Sequence, residues 1–126
     1  MAQYGDFAEL KAQLLYKRII EWTEDKLVLE DGTVITIECS EQDCCAWAEG
    51  KFKDVKLDAV ITEVSDPQVY EEDSSEEHTN KGTVTIYHNN NPIAIADCNA
   101  NDGNNGCYYS ICSLVINKVH YQVVSA

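Results

Sequence analysis

Basic side chains are scarce in this chain: 9 Lys and Arg stand against 22 Asp and Glu, for a formal charge of −13 at pH 7. Such a surplus repels phosphate backbones and anionic lipid headgroups over about a Debye length, so direct nucleic-acid binding and membrane-surface attachment are disfavoured. Long apolar runs are missing as well. No stretch approaches the roughly 18 apolar residues of a membrane helix, and residues 1–6 have neither a basic start nor an apolar run of the kind an export signal carries. A soluble protein of the cytoplasm is expected. That compartment is reducing, so the 6 cysteines are expected as free thiols that pack like small hydrophobes. The usual catalytic signatures are also absent, with no glycine-rich phosphate loop, GxSxG, HExxH or CxxC. No enzyme, cofactor or bound metal is expected.

What is present is the composition of one globular domain. Of 126 residues, 44% are hydrophobic, and a chain of this length buries about two-thirds of its unfolded surface on folding. The clearest local signal is LVLEDGTVITIECSEQDCCAW, residues 27–47. Two β-branched and apolar runs, 27–29 and 33–39, flank Asp31-Gly32, a pair suited to the left-handed backbone of a tight type I′ turn. On the second arm Thr33, Ile35, Ile37 and Cys39 share the face expected to meet the core. Ser40 and Asp43 then resemble a capping box, which predicts a short helix over 41–48.

Upstream, Asp6 and Glu9 form a similar pair ahead of Phe7, Leu10, Leu14 and Leu15, predicting a helix over about 7–16. Residues 18–22 read as a strand turning through Glu24-Asp25 into the hairpin. Downstream, Lys51, Lys53 and Lys56 form the one basic cluster. Alternation from Val55 to Ile61 predicts a half-buried strand over about 55–64. The segment 66–82, DPQVYEEDSSEEHTNKG, holds six acids ahead of its single lysine and is expected as a flexible surface loop, because it offers little apolar surface to offset its ordering entropy. Two more hairpins are predicted, 83–88 with 93–97 around an Asn-rich turn, and 108–116 with 119–124 around Asn117-Lys118, separated by a polar loop. The sum is an α+β domain with a mainly antiparallel sheet of about seven or eight strands, an N-terminal helix and the short helix after the hairpin.

Several residue groups are candidates for chemistry. Cys44 and Cys45 would lie near the start of the predicted helix, where a thiol pKa falls, but Glu41 and Asp43 oppose the thiolate. Cys39/Cys44 and Cys107/Cys112 have zinc-like spacing, yet an offset of five in a strand points two side chains to opposite faces. Asp97, Asn99, Asn101 and Asp102 with Gly103 approach a calcium loop whose glycine comes one residue late and whose last position is Tyr108. Beside them, one of Tyr108 and Tyr109 should be exposed, where it could stack on a base or small ligand.

With LEDGTVITIECSEQDCCAWAEG, LDAVITEV, TVTIYHNNNPIAIADCNA and GCYYS in view, the chain resembles a family of small phage and prophage proteins of unknown function over about residues 10–116. The DGT hairpin followed by Asp43-Cys44-Cys45 is the most specific part. The resemblance implies a viral or prophage origin and a host-cytoplasm setting, and brings no catalytic residues. Cys98, Cys107 and Cys112 stand outside its pattern. By analogy with other small phage proteins, the leading expectation is a non-enzymatic accessory protein that binds and blocks a host protein, for instance a defence component. Its contact would include the acidic residues Asp66, Glu71, Glu72, Asp73, Glu76 and Glu77. The alternative is a protein sequestering a small molecule or nucleotide signal through Asn99, Asn101, Tyr108 and Tyr109, with a pocket at a boundary between copies in a homo-oligomer. Lys51, Lys53 and Lys56 would then supply counter-charge.

Overall fold

The computed structural model describes residues 3–43, 46–73, 78–103 and 109–126. It is a two-sheet β-sandwich with one short helix, which overturns the α+β expectation. The six-stranded sheet runs β1 (Gln3–Tyr4), β11 (Val119–Ser125), β10 (Ser110–Ile116), β4 (Val34–Gln42), β3 (Lys26–Leu29), β2 (Ile19–Thr23). The second runs β5 (Trp47–Lys53), β9 (Asn91–Asn101), β8 (His78–His88), β6 (Glu63–Val64), with β7 (Gln68–Asp73) also paired to β8. All pairings are antiparallel except β1 with β11.

The three expected tight hairpins form. At the first, Gly32 alone takes a positive φ, +92°, so the turn is not the type I′ expected, and Thr33 N–H donates to Asp31 Oδ1 at 3.0 Å. At the other two, Asn89-Asn90 and Asn117-Lys118 take paired positive φ angles, the signature of a type I′ turn. Leu27, Leu29 and Ile35 are buried, with Ile37 and Cys39 partly so, as the period of two requires. Against them pack Phe52 of β5, Val84 and Ile86 of β8, and Ala94, Ala96, Cys98 and Ala100 of β9. Helix α1 (Phe7–Leu14) buries Leu10 and Leu14 and contacts both β11 and β6.

Three local expectations give way. The helix over 41–48 is absent from its described residues, because β4 continues to Gln42 against β10 and β5 starts at Trp47. The capping oxygen of Ser40 is engaged elsewhere, bonded to Ser113 Oγ at 2.6 Å. The strand over 55–64 reduces to one bridge, Arg18 with Val60, and the two-residue β6. Asp54 (φ 53°) and Asp58 (φ 66°) are left-handed, which no continuous strand tolerates. Finally, the segment 66–82 is not a loop along its described length. Gln68–Asp73 is β7, and His78 opens the eleven residues of β8. A ladder on a fixed neighbour satisfies backbone groups without needing the apolar surface that the composition lacks.

Candidate functional site

Strand β7 lies at an edge, with β8 as its only paired strand among the described residues. Its register sets Val69 opposite Gly82, Tyr70 opposite Lys81 and Glu71 opposite Asn80. Val69 and Tyr70 are 55% and 52% exposed, two large apolar side chains adjoining the acids. Of the acidic residues singled out in the sequence, Asp66 is exposed and held at 2.6 Å by Lys11 Nζ, and Glu71 is exposed on β7. Glu72 and Asp73 continue the same strand. Glu76 and Glu77 lie outside the described residues.

The outward face of the second sheet carries the basic cluster. Register rows set Glu49 beside Asn99 and Lys51 beside Asp97, and Lys53 Nζ reaches Asp97 Oδ2 at 3.4 Å. Glu49, Gly50, Lys51, Asp97 and Asn99 line a hollow of about 350 Å³. Of the lysine cluster, Lys51 is brought to the hollow beside Asn99, while Lys53 is drawn to Asp97 and Lys56 is not among the lining residues. Asn101 is not part of that hollow. It is fully buried, donating to Thr79 Oγ1 at 3.0 Å and accepting from Gly103 N–H at 2.7 Å. Beneath it Ser110 Oγ accepts from Asn101 N–H at 3.0 Å and lies 2.8 Å from the carbonyls of Trp47 and Asn101, so it ties β5, β9 and β10 together. Tyr109 is exposed, while Tyr108 lies outside the described residues.

The calcium-loop idea is overturned by shape. Asp97, Asn99 and Asn101 follow one another along extended β9 and do not wrap around a common centre. Among the described residues no group of three His, Cys, Asp or Glu could hold a metal ion. Cys98 and Cys112 are buried and Cys39 is half-buried; Cys44, Cys45 and Cys107 lie outside the described residues, and the nucleophile and zinc readings built on them lie there too.

One polar cluster escaped the sequence reading. On the outward side of the first sheet Ser40 Oγ lies 2.8 Å from His120 Nδ1 and 2.6 Å from Ser113 Oγ. Tyr4 OH donates to Glu41 Oε2, and the Tyr4 and His120 rings meet edge to face at 6.0 Å. Burial, then the Glu41 hydrogen bond and charge, push the Tyr4 phenol up to about 12. The cluster gathers β1, β4, β10 and β11. Ser40, shared between Ser113 and His120, joins β4, β10 and β11, and Tyr4, bonded to Glu41 and edge-on to His120, clasps β1 to them. No spacing rule links residues so far apart in sequence, so only strand pairing could have found it.

Among the described residues no helix is long and apolar enough to cross a membrane. No curated protein and no solved structure matches the chain significantly. The model of one protein family, DUF7448, matches residues 12–115, a stretch running from α1 into β10. By that match the chain belongs to the DUF7448 family, a domain of unknown function.

Proposed function

We propose that this protein works without catalysing a reaction, by binding and blocking another protein through the β7–β8 hairpin, as a phage or prophage accessory factor in the host cytoplasm. The observation that carries the reading is the edge strand β7, with Val69 and Tyr70 exposed beside a run of acids. An edge strand offers unpaired N–H and C=O groups to an incoming chain, so a partner segment can add to the sheet as a further strand. Two copies of β7 would oppose acid to acid, which disfavours self-pairing and selects a basic partner segment.

Charge of this kind acts mainly on the association rate. Tagged protein captures a host protein, and its on-rate, measured by surface plasmon resonance, falls by about tenfold or more between low and high salt. The variant Glu71→Gln/Glu72→Gln/Asp73→Asn associates more slowly and loses most of that salt dependence. A partner bound equally fast by both proteins at every salt concentration overturns the assignment.

A second reading is favoured by the hollow at Lys51 and Asn99. There the same protein would sequester a small polar molecule, with Lys51 facing an anionic group and Glu49 and Asp97 facing a cationic one. Native mass spectrometry after incubation with a host nucleotide extract tests it. Retained mass that disappears in Lys51→Ala supports it, and an empty protein removes it.

A further inference from the structure

Cys98 and Cys112 sit in strands of opposite sheets, beside glycines that admit a close approach. The register partners of Cys98 on both sides are glycines, Gly50 of β5 and Gly82 of β8. A Cβ on Gly50 would come within 2.8 Å of Ile37 Cγ2, and one on Gly82 within 2.9 Å of Val124 Cβ. Both obstacles belong to the opposite sheet. There Cys112 has Cys39 of β4 and Val124 of β11 as its own register partners. The glycine–cysteine–glycine row of one sheet thus rests on the Cys39–Cys112–Val124 row of the other. The Cys112 thiol reaches across to the Glu49 carbonyl at 3.5 Å, one residue from the Gly50 that flanks Cys98. Both residues are 0% exposed.

We propose that Cys98 and Cys112 are a disulfide-forming pair, a modification site that bridges the two sheets and takes a small disulfide such as oxidised glutathione as its co-reactant. The reaction belongs to the folding chain. One cysteine thiolate attacks a sulfur of oxidised glutathione, forming a mixed disulfide and expelling one glutathione thiolate. The second cysteine thiolate then attacks the protein sulfur of that mixed disulfide and expels the other. The protein gives up two thiol protons and two electrons, and one glutathione disulfide becomes two glutathione thiols. In the folded protein the pair is protected, because contact with Cys112 and burial both raise the Cys98 pKa and leave little thiolate. The same burial would shield the finished bond from reductant. This site is independent of the docking hairpin and of the hollow, and it sets these two cysteines apart from the free thiols expected in a reducing compartment, because burial and not the compartment protects the bond once formed.

The test is refolding of the full chain from denaturant in a buffer of oxidised and reduced glutathione, followed by intact mass and peptide mapping. Cleavage before Asp102 and after Tyr108 and Tyr109 places Cys98, Cys107 and Cys112 on three separate peptides. The expected result is loss of two hydrogens, a peptide pair joining Cys98 to Cys112, and a Tm raised by about 10 °C, as closure of a loop of this size predicts. Native reduced protein in the same buffer stays reduced over the time in which refolding protein is oxidised. Free thiols at both positions after refolding, or Cys112 mapped to Cys39, Cys44, Cys45 or Cys107 instead, overturn the proposal. The wild-type map is itself the readout, so the result does not depend on a Cys98→Ala variant folding.

Discussion

The β3–β4 and β7–β8 hairpins are both antiparallel ladders, yet one is built into the core and the other is carried at its rim. Leu27 and Leu29 are 0% exposed and Ile35 is 1%, whereas Val69 and Tyr70 on β7 are 55% and 52% exposed. Strand β3 has a neighbour on each side, and β7 pairs with β8 alone among the described residues. The difference shows that a strand can form with little face to bury when its template is already fixed. Here β8 is the template, locked by Val84 and Ile86 in the core and by pairing with β9 along most of its length.

The largest contrast comes from emptying one hairpin and trimming the other. Leu27→Ala leaves a void between the sheets and is expected to cost about 3 kcal/mol, whereas Val69→Ala removes mostly solvated surface and is expected to stay within about 0.5 kcal/mol. Urea denaturation of the two variants measures both. Equal losses would break the comparison, since β7 would then be an integral part of the sandwich.

Glycines sharpen it next. Gly82→Ala would drive a methyl group against Val124 Cβ at 2.9 Å and Val123 Cγ1 at 3.0 Å, β-branched positions that cannot swing aside. The expected loss is about 2 kcal/mol from overpacking. Gly32→Ala meets nothing within 4 Å, so its cost comes only from the left-handed φ of +92°. About 1 kcal/mol is expected there. A larger loss at Gly32 than at Gly82, measured by thermal unfolding, would mean that turn strain outweighs the close approach of the sheets.

The same contrast explains what could be read from the sequence. Alternation at Leu27, Leu29, Ile35 and Ile37 was legible because burial of one face writes a period of two into the residues. Gly32, Asn89-Asn90 and Asn117 were legible because positive φ angles admit few residue types, whereas Lys118 at φ 69° carries no such signal. The hairpin over 68–88 was hidden, since an edge strand exposed on both faces needs no such pattern. Ser40 misled for a related reason: an oxygen suited to capping a helix is equally suited to bonding Ser113 and His120 across strands. Of the candidate sites, the acids beside Val69 and the lysines beside Asn99 followed from composition. The clasp around His120 and the contact of Cys98 with Cys112 depend on pairings that no local window contains.

The smallest effect concerns how much of the first hairpin rests on its turn and how much on its buried face. Lys17 Nζ holds Asp31 Oδ2 at 2.7 Å, and Thr33 N–H donates to Oδ1 at 3.0 Å. The lysine first and the amide second hold the Asp31 carboxyl well below the usual carboxylate range. A depressed folded-state pKa means that the contribution is complete above the ordinary value of 3.8 and is lost as pH falls through the lower folded value. Asp31→Asn keeps an acceptor for Thr33 but abolishes the charge pair. Because the pair is solvent-exposed, the loss at neutral pH is small and shrinks further with added salt. Urea midpoints of wild type and Asp31→Asn should therefore differ slightly above pH 4, approximately, and converge as the carboxyl is titrated. A gap that persists undiminished into strong acid would mean that the aspartate acts through turn geometry alone, and that the β3–β4 hairpin owes nothing to this charge pair for stability.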